Sequence, residues 1–114
     1  MLPAWRDFLA SLKTEDRLDW QQATTACSLW EVIARLAPRA PTAITQVTQE
    51  GALQMAWNKQ GQYLDIEVLP NCKLVWFYRD RVTGLVEGSG ETPISFHRIP
   101  PRFFRRLRSV AAAA

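Results

Sequence analysis

The sequence predicts an α+β domain, in which two N-terminal helices pack on one face of an antiparallel β-meander of four to five strands and a short basic helix follows. Two observations support this prediction. Apolar residues recur at helical spacing up to Pro38, and from Ile44 onward they alternate with polar residues, as in strands that bury one face. Connections of hairpin length join the alternating segments, which favours an antiparallel sheet with its helices on one side.

Length and composition predict a single domain. A chain of 114 residues, 47% of them hydrophobic, can bury one continuous core without a metal ion or a disulfide framework. We expect the domain to span residues 1–110, and we set apart residues 111–114, all alanine, as a tail of the kind that a cloning vector adds. With no apolar run of about 18 residues and no signal segment, we expect a cytoplasmic protein that does not enter a membrane.

Two helices are predicted ahead of the sheet. The first covers residues 3–13, where large apolar residues recur at helical spacing behind a proline. The second covers about 27–37, because a capping-box pattern opens it and Pro38 ends it. Residues 14–25 form either a loop or a further helical turn.

Strict alternation predicts three strands, over residues 52–58, 62–68 and 73–79. A shift of one residue would move all the apolar side chains of a strand to the opposite face, so the register is tightly specified. The predicted buried face, called the first face below, carries nine residues: Leu53, Met55, Trp57, Leu64, Ile66, Val68, Leu74, Trp76 and Tyr78. We expect the helices to cover it.

The alignment of these apolar residues determines the two connecting turns. The second hairpin requires a three-residue turn over 70–72, with Cys72 at positive φ in a position that usually holds glycine. The first hairpin requires a loop of even length, either Gln60-Gly61 or the four residues 58–61, and Gly61 supplies the positive φ in both cases.

A fourth strand is predicted over 85–87, after a turn at Gly84, and Ile94 and Phe96 allow one more short strand. Beyond the proline pair at 100–101, apolar residues interleaved with arginines predict a short basic amphipathic helix. Its apolar residues are Phe103, Phe104 and Leu107.

The opposite face of the sheet, called the second face below, is not uniformly polar. Its candidate interface residues are Tyr63, Val75, Phe77 and Arg79. Two interpretations are open. In one, the C-terminal segment folds over this face with Ile94, Phe96 or Phe103. In the other, the face is a protein-protein or homodimer interface, since contiguous exposed apolar surface marks such sites.

The C-terminal segment carries the strongest charge signal. Residues 1–92 hold nine Lys/Arg against eleven Asp/Glu, whereas residues 93–114 hold five arginines and no acid. Clustered arginines beside aromatic residues suit nucleic acids. The candidate contacts are Arg98, Arg102, Arg105, Arg106 and Arg108. Alternatively, the apolar residues dock while the arginines face solvent, or the arginines meet an acidic partner or a membrane surface.

No residue pattern predicts catalysis or metal binding. Asp65 and Glu67 share a face, but an acid/base pair needs a pocket and perturbed pKa values. His97 is the sole histidine, and Cys27 and Cys72 lack the spacing of metal ligands, which predicts two free thiols. We therefore expect a protein that is not an enzyme and uses no cofactor or metal.

Part of the sequence resembles a group of small uncharacterised bacterial proteins. The resemblance rests on Gly51, Leu53, Trp57 and the run YLDIEVLPNCKLVWFYRDRVTG, and covers about residues 19–87. In that group a Trp-containing lead-in and one amphipathic helix precede a similar meander. The chain departs from it at 19–21, where the group is richer in glycine, and at Cys72, where the group has glycine.

The resemblance carries over no activity and no catalytic residue. Proteins of this group look like cargo of phages, plasmids or gene cassettes, which implies a binding or modulating role. The sequence therefore predicts a non-catalytic protein-interaction module, either a homodimer or an accessory to another protein. Nucleic-acid binding through the C-terminal arginines is the alternative.

Overall fold

A computed structural model of the protein describes residues 19–41, 43–88, 92–93 and 99–112. The elements are helix α1 (Trp20–Leu36), strands β1 (Ile44–Val47), β2 (Leu53–Lys59), β3 (Gln62–Val68), β4 (Lys73–Asp80), β5 (Val86–Gly88) and β6 (Thr92–Pro93), and helix α2 (Pro101–Ala112). The described residues therefore form an α+β fold, in which one helix precedes the strands along the chain and one helix follows them. The helix predicted over 3–13 lies outside the described residues, so the prediction of two N-terminal helices is not confirmed.

The sheet is antiparallel throughout. Strands β1 to β5 follow one another in spatial order, and β6 pairs with β4. This meander confirms the predicted sheet. The fourth predicted strand is present as β5, shifted by one residue, while Ile94 and Phe96 lie outside the described residues.

Helix α1 begins seven residues earlier than predicted. Its N-cap is Asp19, whose carboxylate accepts a hydrogen bond from the Gln22 amide at 2.7 Å, and this satisfies one of the free N–H groups of the first turn. Residues 20–25, which the sequence left as a loop or a further helical turn, belong to the helix, and Thr24 donates its hydroxyl to the Trp20 carbonyl oxygen at 2.9 Å. The predicted end is correct, since Pro38 follows the C-cap residue Ala37.

The register of β3 against β4 is the predicted one. Leu64 pairs with Tyr78, Ile66 with Trp76 and Val68 with Leu74. All nine residues of the first face are buried, the most exposed at 3%. The nine residues therefore form one buried apolar layer, as the alternation predicts.

Both hairpin turns have the predicted geometry. Gln60 and Gly61 form a two-residue turn with φ of 53° and 79°, which settles the choice of loop length in the first hairpin. In the second hairpin Cys72 has a φ of 62° and donates its amide to the Leu69 carbonyl oxygen at 2.8 Å. The left-handed residue that the register requires is thus a cysteine.

Both helices cover the first face. Phe103 of α2 is fully buried there, with edge-to-face contacts to Trp57 and Trp76 at centroid separations of 6.2 and 6.0 Å. The buried residues of α1 and α2 join the first face in one core cluster: Ala23, Ala26, Leu29, Trp30, Val32, Ile33, Phe103, Phe104, Leu107 and Val110. The predicted C-terminal helix is confirmed, and it continues into Ala111 and Ala112, two residues of the supposed tail.

A single buried amide fixes the start of α1 on the sheet. Gln22 is 2% exposed, and its Nε2 donates to the carbonyl oxygens of Val68 at 2.7 Å and Gly51 at 2.8 Å. The Val68 carbonyl lies at the end of β3 and the Gly51 carbonyl in the β1–β2 turn. One side chain therefore joins the start of the helix to two separate parts of the sheet. Buried polar groups of this kind are costly when unpaired, which makes the position of the helix specific.

We predict that Cys72→Gly stabilises the protein by about 0.5–1 kcal/mol, because glycine avoids the steric cost of a left-handed side chain although it adds entropy to the unfolded chain. Denaturant melts at equal slope measure the change. Cys72→Ala is the matched control, since it removes the thiol but keeps Cβ, and its midpoint should stay near that of the wild type. A lower midpoint for Cys72→Gly contradicts the assigned turn.

Candidate functional site

The second face lacks a helix among the described residues. Because side chains alternate along each strand, Tyr63, Val75 and Phe77 lie on this face together with the exposed Arg79. Tyr63 and Val75 are half-buried, and Phe77 is 37% exposed. The structure therefore brings all four predicted interface residues onto one surface.

The predicted covering of this face by Phe103 is wrong. Phe103 packs between Trp57 and Trp76 on the first face, because the apolar stripe of α2 finds the larger aromatic surface there. The other two candidates, Ile94 and Phe96, lie outside the described residues. Of the two helices that the structure describes, neither covers the second face.

A polar network occupies the half of the second face formed by β1 to β3. Tyr63 donates its hydroxyl to Asp65 Oδ2 at 2.7 Å, and the Gln54 side-chain amide donates to Asp65 Oδ2 at 3.3 Å and to Glu67 Oε1 at 3.4 Å. Gln46 Nε2 in turn donates to Gln54 Oε1 at 2.6 Å. The network holds two carboxylates in place with neutral donors.

Burial raises the pKa of both carboxyl groups. For Asp65, loss of solvent outweighs the hydrogen bonds from Tyr63 and Gln54, which favour the charged form. For Glu67, loss of solvent raises the pKa most, and repulsion from Asp65 and Glu50 raises it further. Desolvation and the neighbouring Asp65 also raise the pKa of Tyr63. The face therefore carries negative charge that the protein itself stabilises poorly.

The other half of the second face carries the apolar residues Val75, Phe77 and Val86 together with the exposed Arg79. The Tyr63 and Phe77 rings lie 6.2 Å apart, and Gly88 pairs with Phe77 across β4 and β5. A side chain on Gly88 would collide with the Trp76 carbonyl oxygen, 2.8 Å from the position of a Cβ atom. The glycine therefore allows β5 to lie close to the backbone of β4 at this pair.

The β4–β5 hairpin concentrates exposed apolar residues. We call this set the hairpin patch: Phe77 at 37% exposed, Val82 at 84%, Leu85 at 40% and Val86 at 56%. Val86 lies on the second face beside Arg79, diagonal to Phe77. Of these four residues, Phe77 and Val86 share the second face, and exposed apolar surface of this kind is typical of a docking site.

Sequence reasoning missed three residues of the hairpin patch. Val82 and Leu85 lie in the turn before β5, and their only signal was apolar character next to Gly84, where turns are usually polar. The face on which Val86 lies depends on the register of β5, which the length of that turn determines. The turn closes through bonds from the Gly84 amide to the Asp80 carbonyl oxygen and from the Asp80 amide to that of Leu85.

The C-terminal arginines divide into two groups. Arg102, Arg105 and Arg108 are exposed. Arg106 instead forms an ion pair with Glu87 and lies over the Tyr78 ring, 4.7 Å from its centroid. This contact lowers the pKa of Glu87. Arg106 is therefore a docking residue of α2 and not the free contact that was predicted.

Arg98 lies outside the described residues. Within those residues, no group of three or more His, Cys, Asp or Glu side chains is arranged to hold a metal ion. The helices of the same part of the chain are too short or too polar to cross a membrane. Neither Cys27 nor Cys72 forms a disulfide bond.

Comparison of the chain with protein-family models, with curated proteins and with solved structures gave no match. The resemblance to small bacterial proteins therefore stays a prediction.

We predict that Asp65→Asn stabilises the protein at pH 7. A raised pKa in the folded state means that ionised Asp65 opposes folding above that pKa, and this cost vanishes below the usual value of 3.8, where the carboxyl is protonated in both states. Denaturant melts at pH 7 and pH 3 should show a gain only at the higher pH.

Asp80→Asn is the control of opposite sign. The pKa of Asp80 is lowered, chiefly by the hydrogen bond from the Val82 amide. The Asp80 carboxylate therefore stabilises the folded protein above the usual pKa, and this stabilisation is lost in acid. The substitution should therefore destabilise at pH 7. A loss of stability for Asp65→Asn at pH 7 contradicts the assignment of desolvation as the dominant effect at Asp65.

Proposed function

We propose that this protein is a non-catalytic protein-interaction module whose docking surface is the second face with the hairpin patch. The observation that carries the proposal is the position of α1 and α2 together on the first face, while Phe77 and its neighbours keep solvent contact. A partner that covers this surface removes apolar area from water, which contributes about 25 cal/mol per Å² to association before the entropic cost of binding is subtracted.

A binding role also agrees with the resemblance to small bacterial proteins of mobile-element type. That resemblance implies an accessory or modulating role. We extend that role to this chain as a cytoplasmic accessory protein. The partner is another protein or a second copy of the chain.

Phe77→Glu tests the proposal, because it places a charge at the centre of the apolar half without removing a buried side chain. We expect the complex, observed by sedimentation of the purified protein alone and with a lysate of the source cells, to be lost in this variant. Leu36→Glu is the matched control, since Leu36 is 44% exposed and lies at the end of α1. It should leave the complex intact.

The proposal fails in either of two cases. In the first, the wild type sediments as a monomer and recovers no partner. In the second, the complex survives Phe77→Glu while thermal melts show that the variant is folded.

One observation favours nucleic-acid binding as a second candidate function. The three exposed arginines of α2 recur at every third residue, and Arg108 lines a groove of about 530 Å³ with Arg39, which follows α1. Arg35 is exposed at the end of α1. These arginines form a basic ridge on the helical side of the molecule, suited to a phosphate backbone.

If the basic ridge binds nucleic acid, we predict that its affinity for a fluorescent oligonucleotide falls as salt increases. The logarithm of the binding constant should fall against the logarithm of the salt concentration with a slope of about −0.9 for each phosphate contacted. Substitution is the proper test, because deletion of residues 98–114 would remove Phe103 and other core residues. Combined replacement of Arg102, Arg105 and Arg108 by Gln should abolish binding, and Arg81→Gln should not. No binding at low salt excludes this function.

A further inference from the structure

The side chains of the second face lie in rows that cross the strands, because antiparallel pairing sets partners on neighbouring strands side by side. One row, called the arginine row below, runs over β3, β4 and β5 and consists of Tyr63, Arg79 and Val86. The next row, called the phenylalanine row, consists of Asp65, Phe77 and Gly88. Two residues of a strand span about 7 Å, so the two rows are close neighbours on one surface.

This face carries charge of both signs, with its cations on β4 and its carboxylates on β3. Arg79 lies one row from Asp65 on the neighbouring strand, and Lys73 stands in the same diagonal relation to Glu67. Arg79 is exposed and forms no ion pair with another residue that the structure describes. The Asp65 carboxylate accepts its hydrogen bonds from neutral donors. The face therefore offers a cation and a carboxylate close together without an ion pair between them.

A two-fold axis that crosses the strands between the two rows makes this surface complementary to itself. Such an axis lies in the plane of the interface, keeps each strand over its own counterpart and exchanges the two rows. Arg79 of each copy then lies over the Phe77 ring of the other copy, with Asp65 beside that ring on the next strand. Guanidinium groups stack on aromatic faces and pair with carboxylates, and the symmetry makes this contact twice.

The other positions of the two rows also match under this axis. Val86 lies over Gly88 of the other copy, which has no side chain to obstruct it. Tyr63 lies over Asp65 of the other copy, where a phenol hydroxyl is a donor for a carboxylate. Each apolar or donor group of the arginine row thus faces a compatible group in the phenylalanine row.

Arg81 extends the same pattern beyond the end of β4. Its amide donates to the Gly61 carbonyl oxygen at 2.9 Å, so it continues the alternation of the strand by one position, and it is exposed. The axis brings Arg81 of one copy over Val75 of the other, beside Glu67. Both carboxylates of β3 therefore meet an arginine of the second copy, which is the complementarity that a specific interface requires.

The size of the face suits a weak dimer. The sheet has five consecutive strands, and β3 is seven residues long. At about 4.8 Å per strand and about 3.4 Å per residue, the face measures roughly 20 Å by 24 Å. Two copies together would bury about 1,000 Å², which is the lower bound for a specific interface.

We infer that the second face binds a second copy of this chain in a two-fold symmetric dimer, with Arg79 of each copy placed against Phe77 and Asp65 of the other. This inference rests on the proposed function and names its partner. A second copy fits better than an unrelated protein because the face itself supplies the arginines and the carboxylates, and both the ring and the guanidinium group that stacks on it.

Exchange of one charged pair tests the inference, with the dimer measured by sedimentation equilibrium of the full chain. Arg79→Glu and Asp65→Lys should each abolish the dimer, because each variant places like charges together at both symmetric contacts. An equal mixture of the two variants should dimerise again, since a mixed dimer has one native contact and one reversed contact, each between opposite charges. Leu36→Glu on α1 is the control and should leave the dimer unchanged.

Thermal melts establish that each variant is folded. If Asp65→Lys does not fold, Asp65→Asn replaces it and should weaken the dimer about tenfold, since it removes the charge but keeps the shape. A dimer that withstands both Arg79→Glu and the Asp65 variant contradicts the inference. A mixture of folded variants that stays monomeric also contradicts it.

The wild type separates the inference from the proposed function. A wild-type protein that remains monomeric up to about millimolar concentration contradicts the dimer. If that monomer still binds another protein through Phe77 and Val86, the proposed docking surface stands without the inference. If it binds no protein, both fail.

Discussion

The rest of the structure depends on the register of β3 against β4. With Leu64, Ile66 and Val68 beside Tyr78, Trp76 and Leu74, these six large side chains of the central strands enter the same layer. A shift of one residue would expose this set and bury the Asp65–Glu67 pair under the helices. The three-residue turn that enforces the register places Cys72 at positive φ, so the sheet accepts local strain in exchange for its apolar face.

The register also determines where the helices go. Both α1 and α2 have one apolar stripe, and the nine buried residues of the first face form the larger apolar surface of the described strands, so both helices pack there. Gln22 and Arg106 then fix their positions, the first by two bonds to backbone carbonyls and the second through Glu87 and the Tyr78 ring. The result is a two-layer fold in which neither described helix covers the second face of the sheet.

Alternation in the sequence was sufficient to predict β2, β3 and β4, the buried face and the three-residue turn between β3 and β4, because the period of two and the loop lengths constrain each other. It left two lengths open for the first turn and did not predict β1 as a separate strand. Local signals predicted the helices less well. The capping-box pattern at Ser28 predicted the start of the helix, whereas the N-cap is Asp19, and the polar stretch before Ser28 holds too few large apolar residues to reveal the first turns.

The candidate site was predicted in part, for a related reason. Residues on β3 and β4 were assigned to the second face by parity, whereas Val86 required a register that no local pattern supplies. The pairing of Arg106 with Glu87 joins residues far apart in sequence, so charge clustering alone could not separate Arg106 from its exposed neighbours.

The proposed binding surface includes residues that lower the stability of the free protein. Asp65 and Glu67 are held in a half-buried network that disfavours their charge, next to apolar side chains that retain solvent contact. A protein selected for stability alone would place neutral or wholly solvated side chains there. Surfaces that cost stability in the free protein are typical of sites kept for binding.

The central claim is that the second face is open in the free protein, and paramagnetic NMR tests it most directly. A soluble paramagnetic agent broadens the signals of side chains in contact with solvent. Our account predicts strong attenuation of the Phe77 ring and the Val86 methyl groups, with Phe103 and Leu107 protected. Protection of Phe77 and Val86 equal to that of Phe103 in the full-length monomer would show that the face is covered within the chain, and would contradict the account.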